Sequence, residues 1–234
     1  MYEYGQYCPV ARATEILGDR WTLLIVRDLL LGRRHFNDLE RGLPGISSAV
    51  LADRLRRLQR VGLLEKCVTS HGRQTTQYVL TAAGEELQSV IDVLMTWGAT
   101  WAFGGPRTEE LDPVLLMWWM RGRFCAERLS EKRIVIQFDF HSQRLETYWL
   151  LIKEDDVSVC ISDPGYEINV VVTTDLSVFY QLWLGRISYR EAVSEYGVKI
   201  DAIPAYIRAF PRWFSWSPAA PTVRASMRGQ KAQQ

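Results

Sequence analysis

The stretch RRHFNDLERGLPGISSAVLADRLRRLQRVGLLEKCVTSHGR, residues 33–73, sets the reading of the whole chain. Its first part, His35-Phe36-Asn37-Asp38-Leu39-Glu40-Arg41, is helical in pattern and ends at Gly42, Pro44 and Gly45. Those residues break a helix through extra backbone freedom and a missing N–H. Ser47 then stands at a good N-cap position, where its hydroxyl can accept from the open amides of the next turn. In the helix that follows, Leu51, Leu55 and Leu58 recur at steps of four and three and form an inward stripe. Ala49, Asp53, Arg56 and Arg60 fall on the opposite face. Beyond it, Leu64-Glu65-Lys66-Cys67-Val68 and Gln77-Tyr78-Val79-Leu80 read as strands around a polar tip, Ser70-His71-Gly72-Arg73.

Helix, tight turn, helix and hairpin in that order predict a winged helix-turn-helix, whose expected partner is double-stranded DNA. In such a unit the second helix lies in the major groove with its early residues at the base edges. Ser48, Ala49, Ala52 and Asp53 are therefore the candidate base readers, with Ser47 beside them at the cap. Arg54, Arg56, Arg57 and Arg60 are better placed for phosphates, which fix register and carry no sequence information. Arg34, and His71 and Arg73 at the wing tip, complete the expected DNA-facing set. Asp53 has two readings, acceptance from a cytosine amino group or an ion pair with Arg56 or Arg57 along the helix. An ordinary amphipathic helix with solvated arginines is the bland alternative, and the hairpin that follows argues against it.

Charge distribution points the same way. The chain as a whole is nearly neutral, with 28 Lys and Arg against 27 Asp and Glu. Residues 33–73 hold nine basic and four acidic residues, a local difference of +5. A local excess of that sign is what phosphate binding needs.

The motifs Tyr7-Cys8-Pro9-Val10, Leu17-Gly18-Asp19-Arg20-Trp21, Arg34-His35-Phe36-Asn37-Asp38-Leu39, Leu43-Pro44-Gly45-Ile46-Ser47, Gly62-Leu63 and Tyr78-Val79-Leu80-Thr81-Ala82-Ala83-Gly84 carry a resemblance. Over about the first hundred residues the chain resembles the HxlR family of bacterial transcription regulators. The resemblance implies a dimeric winged helix on a two-fold operator, with one recognition helix per half-site. That family commonly has a proline near the wing, where this chain has Ser70-His71-Gly72-Arg73-Gln74-Thr75-Thr76.

Before this stretch, the N-terminal segment places Leu17, Trp21, Leu24, Ile25 and Leu29 on one side of a helix. Thr81 is predicted to cap a helix with Glu85 and Glu86 in its first turn and an apolar stripe of Leu87, Val90, Ile91, Leu94, Trp97, Gly98 and Trp101. A domain this small has little core in which to hide both surfaces. Pairing between two copies is the economical expectation, and two-fold symmetry suits a palindromic operator. Gly104-Gly105-Pro106 breaks the helix, and residues 104–112 read as a linker.

From Pro113 the texture changes. Leu115 to Met120 is an apolar helical segment, and Arg133–Phe140, Leu145–Ile152, Val157–Ile161 and Ile168–Thr173 read as strands. Strands in succession without intervening helices predict an antiparallel sheet. Helices return at Asp175 and Ser188 and again around Ile203 to Phe214, and a Pro/Ala-rich tail reads as disordered. The run Thr174-Asp175-Leu176, Phe179, Leu182, Gly185-Arg186-Ile187-Ser188, Ala192, Gly197-Val198-Lys199-Ile200 and Phe210 resembles the C-terminal signature of the sterol-carrier-protein fold. That resemblance implies a sheet backed by helices around an apolar tunnel that takes lipids or other hydrophobic ligands. Trp118, Trp119, Trp149, Phe179 and Trp183 are the candidate walls, and the alternative is that such aromatics fill a core or a domain interface.

The expected class is therefore α+β, a winged helix-turn-helix joined to an antiparallel sheet backed by helices. Residues 1–103 form the DNA-binding and dimerisation domain, 104–112 the linker, 113–216 the ligand domain and 217–234 the tail. Enzyme chemistry has no foothold, since His35, His71 and His141 lie far apart and no HExxH, GxSxG or P-loop pattern occurs. No cofactor or metal is expected. The N-terminus lacks a secretion signal and no apolar run reaches membrane-spanning length, so a cytoplasmic protein without a membrane partner is expected. Cys8, before Pro9, is the one side chain with reactive potential, because a sulfur at a helix N-terminus favours the thiolate. The resemblance adds that some family members sense oxidants or electrophiles through a cysteine at this position. The expected function is a homodimeric DNA-binding regulator modulated by a hydrophobic ligand. The alternatives are redox control through Cys8, or a second domain acting only as lipid carrier or dimer brace.

Overall fold

A computed structural model describes residues 3–69, 75–125, 127, 129, 131, 133–141, 144–154 and 156–231. The chain divides into two compact units, Met1–Leu94 and Met95–Gln234. The class is α+β, as the sequence predicts. The division falls inside the helix Gln88–Trp101, whereas the sequence predicts a boundary after Phe103.

In the first unit the N-terminal segment is two helices, α1 (Pro9–Leu17) and α2 (Thr22–Leu30). The single apolar side expected there is broken at Gly18-Asp19-Arg20-Trp21, where Trp21 takes a left-handed backbone with φ of 79°. Helix α3 (Phe36–Gly42) and the arginine-bearing α4 (Ser48–Arg60) follow, joined by the predicted turn. Leu51, Leu55 and Leu58 are buried with Ile25, Val26, Leu39 and Leu43. Strands β1 (Leu64–Thr69) and β2 (Thr75–Leu80) pair antiparallel, with Leu64 opposite Leu80. The wing tip, including His71 and Arg73, lies outside the described residues.

A buried ion cluster sits inside this unit. Asp28 is fully buried and accepts from Arg27 at 2.9 Å and Arg33 at 2.7 Å. Gly42, the last residue of α3, leaves the space these groups occupy. A Cβ there would lie 2.6 Å from Arg33 Nη1 and would collide with the Asp28 carboxylate. Gly42 thus lets α3 close down on a charge pair that needs both partners, because an uncompensated buried charge is costly.

Thr81 caps α5 (Ala82–Glu85) and the chain then breaks before α6 (Gln88–Trp101), so the single helix expected from Thr81 is two. The Thr81 hydroxyl donates to Gly62 at 2.7 Å and accepts from Gly84, tying the first turn to the end of α4. Leu87 packs on the core of the first unit, and beyond it no residue of α6 is buried.

The second unit opens with α7 (Pro113–Arg121), capped by Asp112 through the Val114 and Leu115 amides. Among the described residues five strands follow: β3 (Arg133–His141), β4 (Leu145–Lys153), β5 (Asp156–Cys160), β6 (Val170–Asp175) and β7 (Lys199–Ala202). Their order is β5-β4-β3-β6-β7. Three pairings are antiparallel, but β3 and β6 are parallel, which departs from a wholly antiparallel sheet. Residues 161–169 carry the chain from the end of β5 back across the sheet, so β6 enters beside β3 in the same direction. Strand β7 escapes the sequence reading because its four residues, Lys-Ile-Asp-Ala, form no apolar run.

Ile134, Ile136, Phe138 and Phe140 turn one face of β3 onto α8 (Leu176–Trp183), whose Asp175 cap is the predicted one. Short helices α9 (Tyr189–Ser194) and α10 (Pro204–Ala209) complete the cover. The predicted disordered tail is corrected: Ala220–Lys231 is a helix, α11, with Ala220 and Val223 buried. Gly185, at φ of 81°, permits this, since a Cβ there would lie 2.6 Å from the Ala220 carbonyl oxygen. Ser226 also donates to the Ala99 carbonyl of α6 at 3.0 Å. These contacts give an alanine-rich segment the apolar burial that its composition alone does not promise.

Replacing Gly42 with alanine overpacks the Asp28–Arg33 site and is expected to cost about 1–3 kcal/mol. Urea unfolding of G42A followed by circular dichroism checks this, and an unchanged midpoint would refute the cluster's role.

Candidate nucleic-acid interface

The candidate site is built on α4. Ser47 has extended backbone and its side chain accepts from the Val50 amide at 3.3 Å, as an N-cap should. Ser47, Ser48, Ala49 and Asp53 are exposed, and Ala52 is half-buried. The Ser48 hydroxyl donates to Glu40 of α3 at 2.5 Å, so a carboxylate lies beside the first turn of α4. Ala49 presents only a methyl group to the outside.

The four arginines of α4 divide into two pairs. Arg57 turns inward: its Nη1 donates to the Asp19 carboxylate and its Nη2 to the Glu15 carbonyl at 2.5 Å. Arg54 donates from Nε to the Arg20 carbonyl at 3.3 Å and lies 3.8 Å from Asp19. Its other partner is the neighbouring Asp53 at 3.0 Å. Asp19 stands in the break between α1 and α2, so these two arginines fasten α4 to the N-terminal helices. The expectation that Arg57 contacts phosphate is corrected by this inward placement.

Arg56 and Arg60 stay outside. Arg56 is 65% exposed and makes a loose pair with Asp53 at 3.5 Å, the alternative the sequence left open for Asp53. Arg60 is exposed at the last turn. Arg34 is also exposed, and its carbonyl accepts from Tyr78 of β2 at 2.8 Å, which fixes its backbone against the wing. His35 adds a contact between Nδ1 and the Thr76 carbonyl at 3.1 Å. The structure thus brings Arg34, Ser47, Ser48, Ala49, Asp53, Arg56 and Arg60 to the surface of one small unit.

Glu15, buried in α1, accepts from the Tyr4 amide at 2.8 Å and from Arg12 at 3.0 Å. The Tyr4 amide first, and Arg12 second, hold its carboxyl below the usual carboxylate range. Its backbone carbonyl serves Arg57. Neither Glu15 nor Asp19 was assigned a role from the sequence; the available signal was that Arg54 and Arg57, three residues apart, share one flank of the leucine stripe. Cys8 is half-exposed at the N-cap position of α1, ahead of Pro9, and its side chain makes no capping bond.

Residues 16–104, which span this helix-turn-helix and its wing, match the family of HxlR-like helix-turn-helix proteins. Mb3122, an HTH-type transcriptional regulator of Mycobacterium bovis, is 46% identical over 125 residues, which cover 53% of this chain and 73% of that protein. The chain belongs to the HxlR-like helix-turn-helix family. An HTH-type transcriptional regulator of Synechocystis, sll1512, is 33% identical over 100 residues, covering 43% of this chain and 74% of that protein. Among solved structures, the reduced form of the transcriptional regulator YodB from B. subtilis aligns at 30% identity with a TM-score of 0.38, covering 43% of this chain and all of that one.

The HxlR-like segment ends before the second unit's sheet, where the candidate ligand walls lie. Phe179 and Trp183 are completely packed, with Phe179 5.7 Å from Phe138 and 5.9 Å from Phe140 between ring centres. Trp149 lies on the other face of the sheet and donates to Gln137 at 3.1 Å. Trp118 stacks under Arg121, whose guanidinium is 4.8 Å from the ring centre. Trp119 meets Tyr180 edge-on at 6.0 Å. These five do not converge on one cavity, so a tunnel walled by all of them is corrected: Phe179 and Trp183 fill the core. Among the described residues no helix is long and apolar enough to cross a membrane, and no group of three or more potential ligands is placed to hold a metal.

Arg57→Ala leaves Asp19 and the Glu15 carbonyl without their main donor and is expected to destabilise the first unit by about 1–3 kcal/mol, whereas Arg56→Ala leaves stability unchanged. Thermal unfolding of the two variants side by side tests the division; equal melting temperatures would contradict it.

Proposed function

We propose that this chain is a transcription regulator that binds double-stranded DNA as a homodimer. The carrying observation is the separation of the α4 arginines: Arg54 and Arg57 hold the helix in place, and Arg56 and Arg60 remain available outside. Base reading is assigned to Ala49, Ala52 and Asp53. Ala49 suits a thymine methyl and Asp53 a cytosine amino group. Ser48 is held by Glu40, so it serves the groove only through that pair. Ser47 stays the cap. Arg34, Arg56 and Arg60 meet phosphates, with Arg54 beside them at the junction with Asp19. His71 and Arg73 are the proposed wing contacts, on segments outside the described residues.

The second copy is inferred from α6. Val90, Val93, Leu94, Trp97 and Trp101 follow one another at helical spacing, and Trp97 and Trp101 are 60% and 75% exposed. Large aromatic surfaces of this kind favour burial strongly. Pairing two such helices buries the stripe and relates the two α4 helices by a two-fold axis. Half-sites about 34 Å apart, or a multiple of that, are then the geometric expectation.

The second unit is proposed as an effector module resembling the sterol-carrier-protein fold, because its sheet is backed by helices on one face and it joins directly to the dimer helix. A ligand regulates only if it binds the DNA-competent and incompetent states with different affinity.

An operator selected from a randomised duplex pool should be a two-fold sequence. Arg56→Ala should weaken binding to all sequences alike and flatten the plot of log affinity against log salt by about 0.9 for each phosphate that the variant no longer neutralises. A defect confined to a single base position would instead mean base readout by Arg56, and an unchanged slope would remove it from the interface. Trp97→Glu should convert the dimer to monomer in sedimentation velocity. A wild-type protein that sediments as a monomer would overturn the assembly.

A further inference from the structure

The second unit holds a surface pocket of about 610 Å³ that the aromatic core leaves open. It lies where the chain leaves α6, between residues 102–107 and the helices α7 and α8. Phe103, Trp119, Tyr180 and Leu184 supply apolar walls. The Tyr180 hydroxyl donates to the Asp112 carbonyl at 2.8 Å, so it is already occupied. Desolvation pushes its pKa far above the ordinary phenol value, and it stays a neutral wall.

Arg186 is the polar group that distinguishes this pocket. Its Nη1 donates to the Phe103 and Gly104 carbonyls at 2.9 and 2.8 Å, and its guanidinium lies 5.8 Å from the Phe103 ring centre. An arginine has five N–H donors in a fixed fork. The donors on Nε and Nη2 have no partner among the described residues, and no carboxylate there pairs with Arg186. Arg107, also on the lining, has its own counter-ion in Glu110 at 2.5 Å. The charged lining therefore carries one uncompensated positive charge.

We propose that this pocket binds a planar aromatic acid, with its ring against Trp119 and Phe103 and its carboxylate on Arg186. A carboxylate matches the guanidinium fork, a flat ring suits aromatic walls, and the volume falls within the usual range of small-molecule sites. The site lies outside the core that Phe179 and Trp183 fill. It also offers a direct route to the rest of the protein. Arg186 grips the two carbonyls that follow α6, so a ligand that draws on the same guanidinium acts on the end of the proposed dimer helix. The effector role of this pocket rests on the regulatory reading above; the binding itself does not.

The test is isothermal titration of the full-length protein, without DNA, with naphthalene-2-carboxylate and with the neutral naphthalene-2-methanol. Saturable binding of the acid at one per chain is expected, with the alcohol about tenfold weaker or worse. R186Q should lose that discrimination. L184W, which enlarges an apolar side chain of the lining and keeps Arg186, should abolish binding of both while melting as the wild type does. Absence of saturable acid binding, equal affinity for acid and alcohol, or full binding by L184W would overturn the proposal. A parallel anisotropy titration on the selected operator separates the two claims. An acid that binds the protein yet leaves operator affinity unchanged upholds the pocket and refutes the effector reading.

Discussion

The arrangement of the first unit depends on the Asp19 carboxylate. It stands where the chain breaks between α1 and α2 and faces Arg57 and Arg54 of α4. The leucine stripe of α4 sets which side of the helix goes inward, but apolar packing is non-directional. Hydrogen-bonded ion pairs supply the direction that packing lacks. Arg57 joins Asp19 to the last turn of α1 through the Glu15 carbonyl, so three segments meet at one guanidinium. With that flank of α4 held, Ala49, Asp53, Arg56 and Arg60 face outward together.

A second charge cluster, around Asp28, plays a comparable part for α3. Asp28 is sealed inside and depends on Arg27 and Arg33 for neutralisation. Because Gly42 has no side chain, α3 can approach that pair and begin the turn into α4. Both clusters use arginines that the local charge excess counted as phosphate-binding. Part of the excess in residues 33–73 is therefore structural, and the cations left for a nucleic acid are fewer than the sum implies.

In the second unit the division is between aromatics that pack and aromatics that line. Phe138, Phe140 and Phe179 interlock, Trp183 packs against Phe214 and Trp216, and together they close the space between sheet and helices. Trp119 and Tyr180 lie at the margin of that core, beside a segment that follows α6, and there a pocket remains. The helix α11 binds back on Gly185 and on Ala99 of α6. The end of α6 and the residues that follow it are thus held both by α11, through Ser226, and by Arg186.

The elements legible in the amino-acid sequence are those whose signals are local. The N-caps at Ser47, Thr81, Asp175 and Ser188, the turn at Gly42 to Gly45, the leucine stripe of α4 and the wing strands all depend on residues within a few positions of one another. Four of the five strands of the sheet were readable from β-branched and aromatic runs for the same reason. Long-range packing settled the rest. It placed β6 parallel to β3, added β7, folded the alanine-rich tail against Gly185, and separated the inward arginines from the outward ones. Each of these depends on a partner far away in the chain, as with Arg57 and Asp19 or Gly185 and Ala220. A side chain's local pattern states that it can be charged, apolar or small; which distant group occupies the space beside it is settled only when the chain has closed.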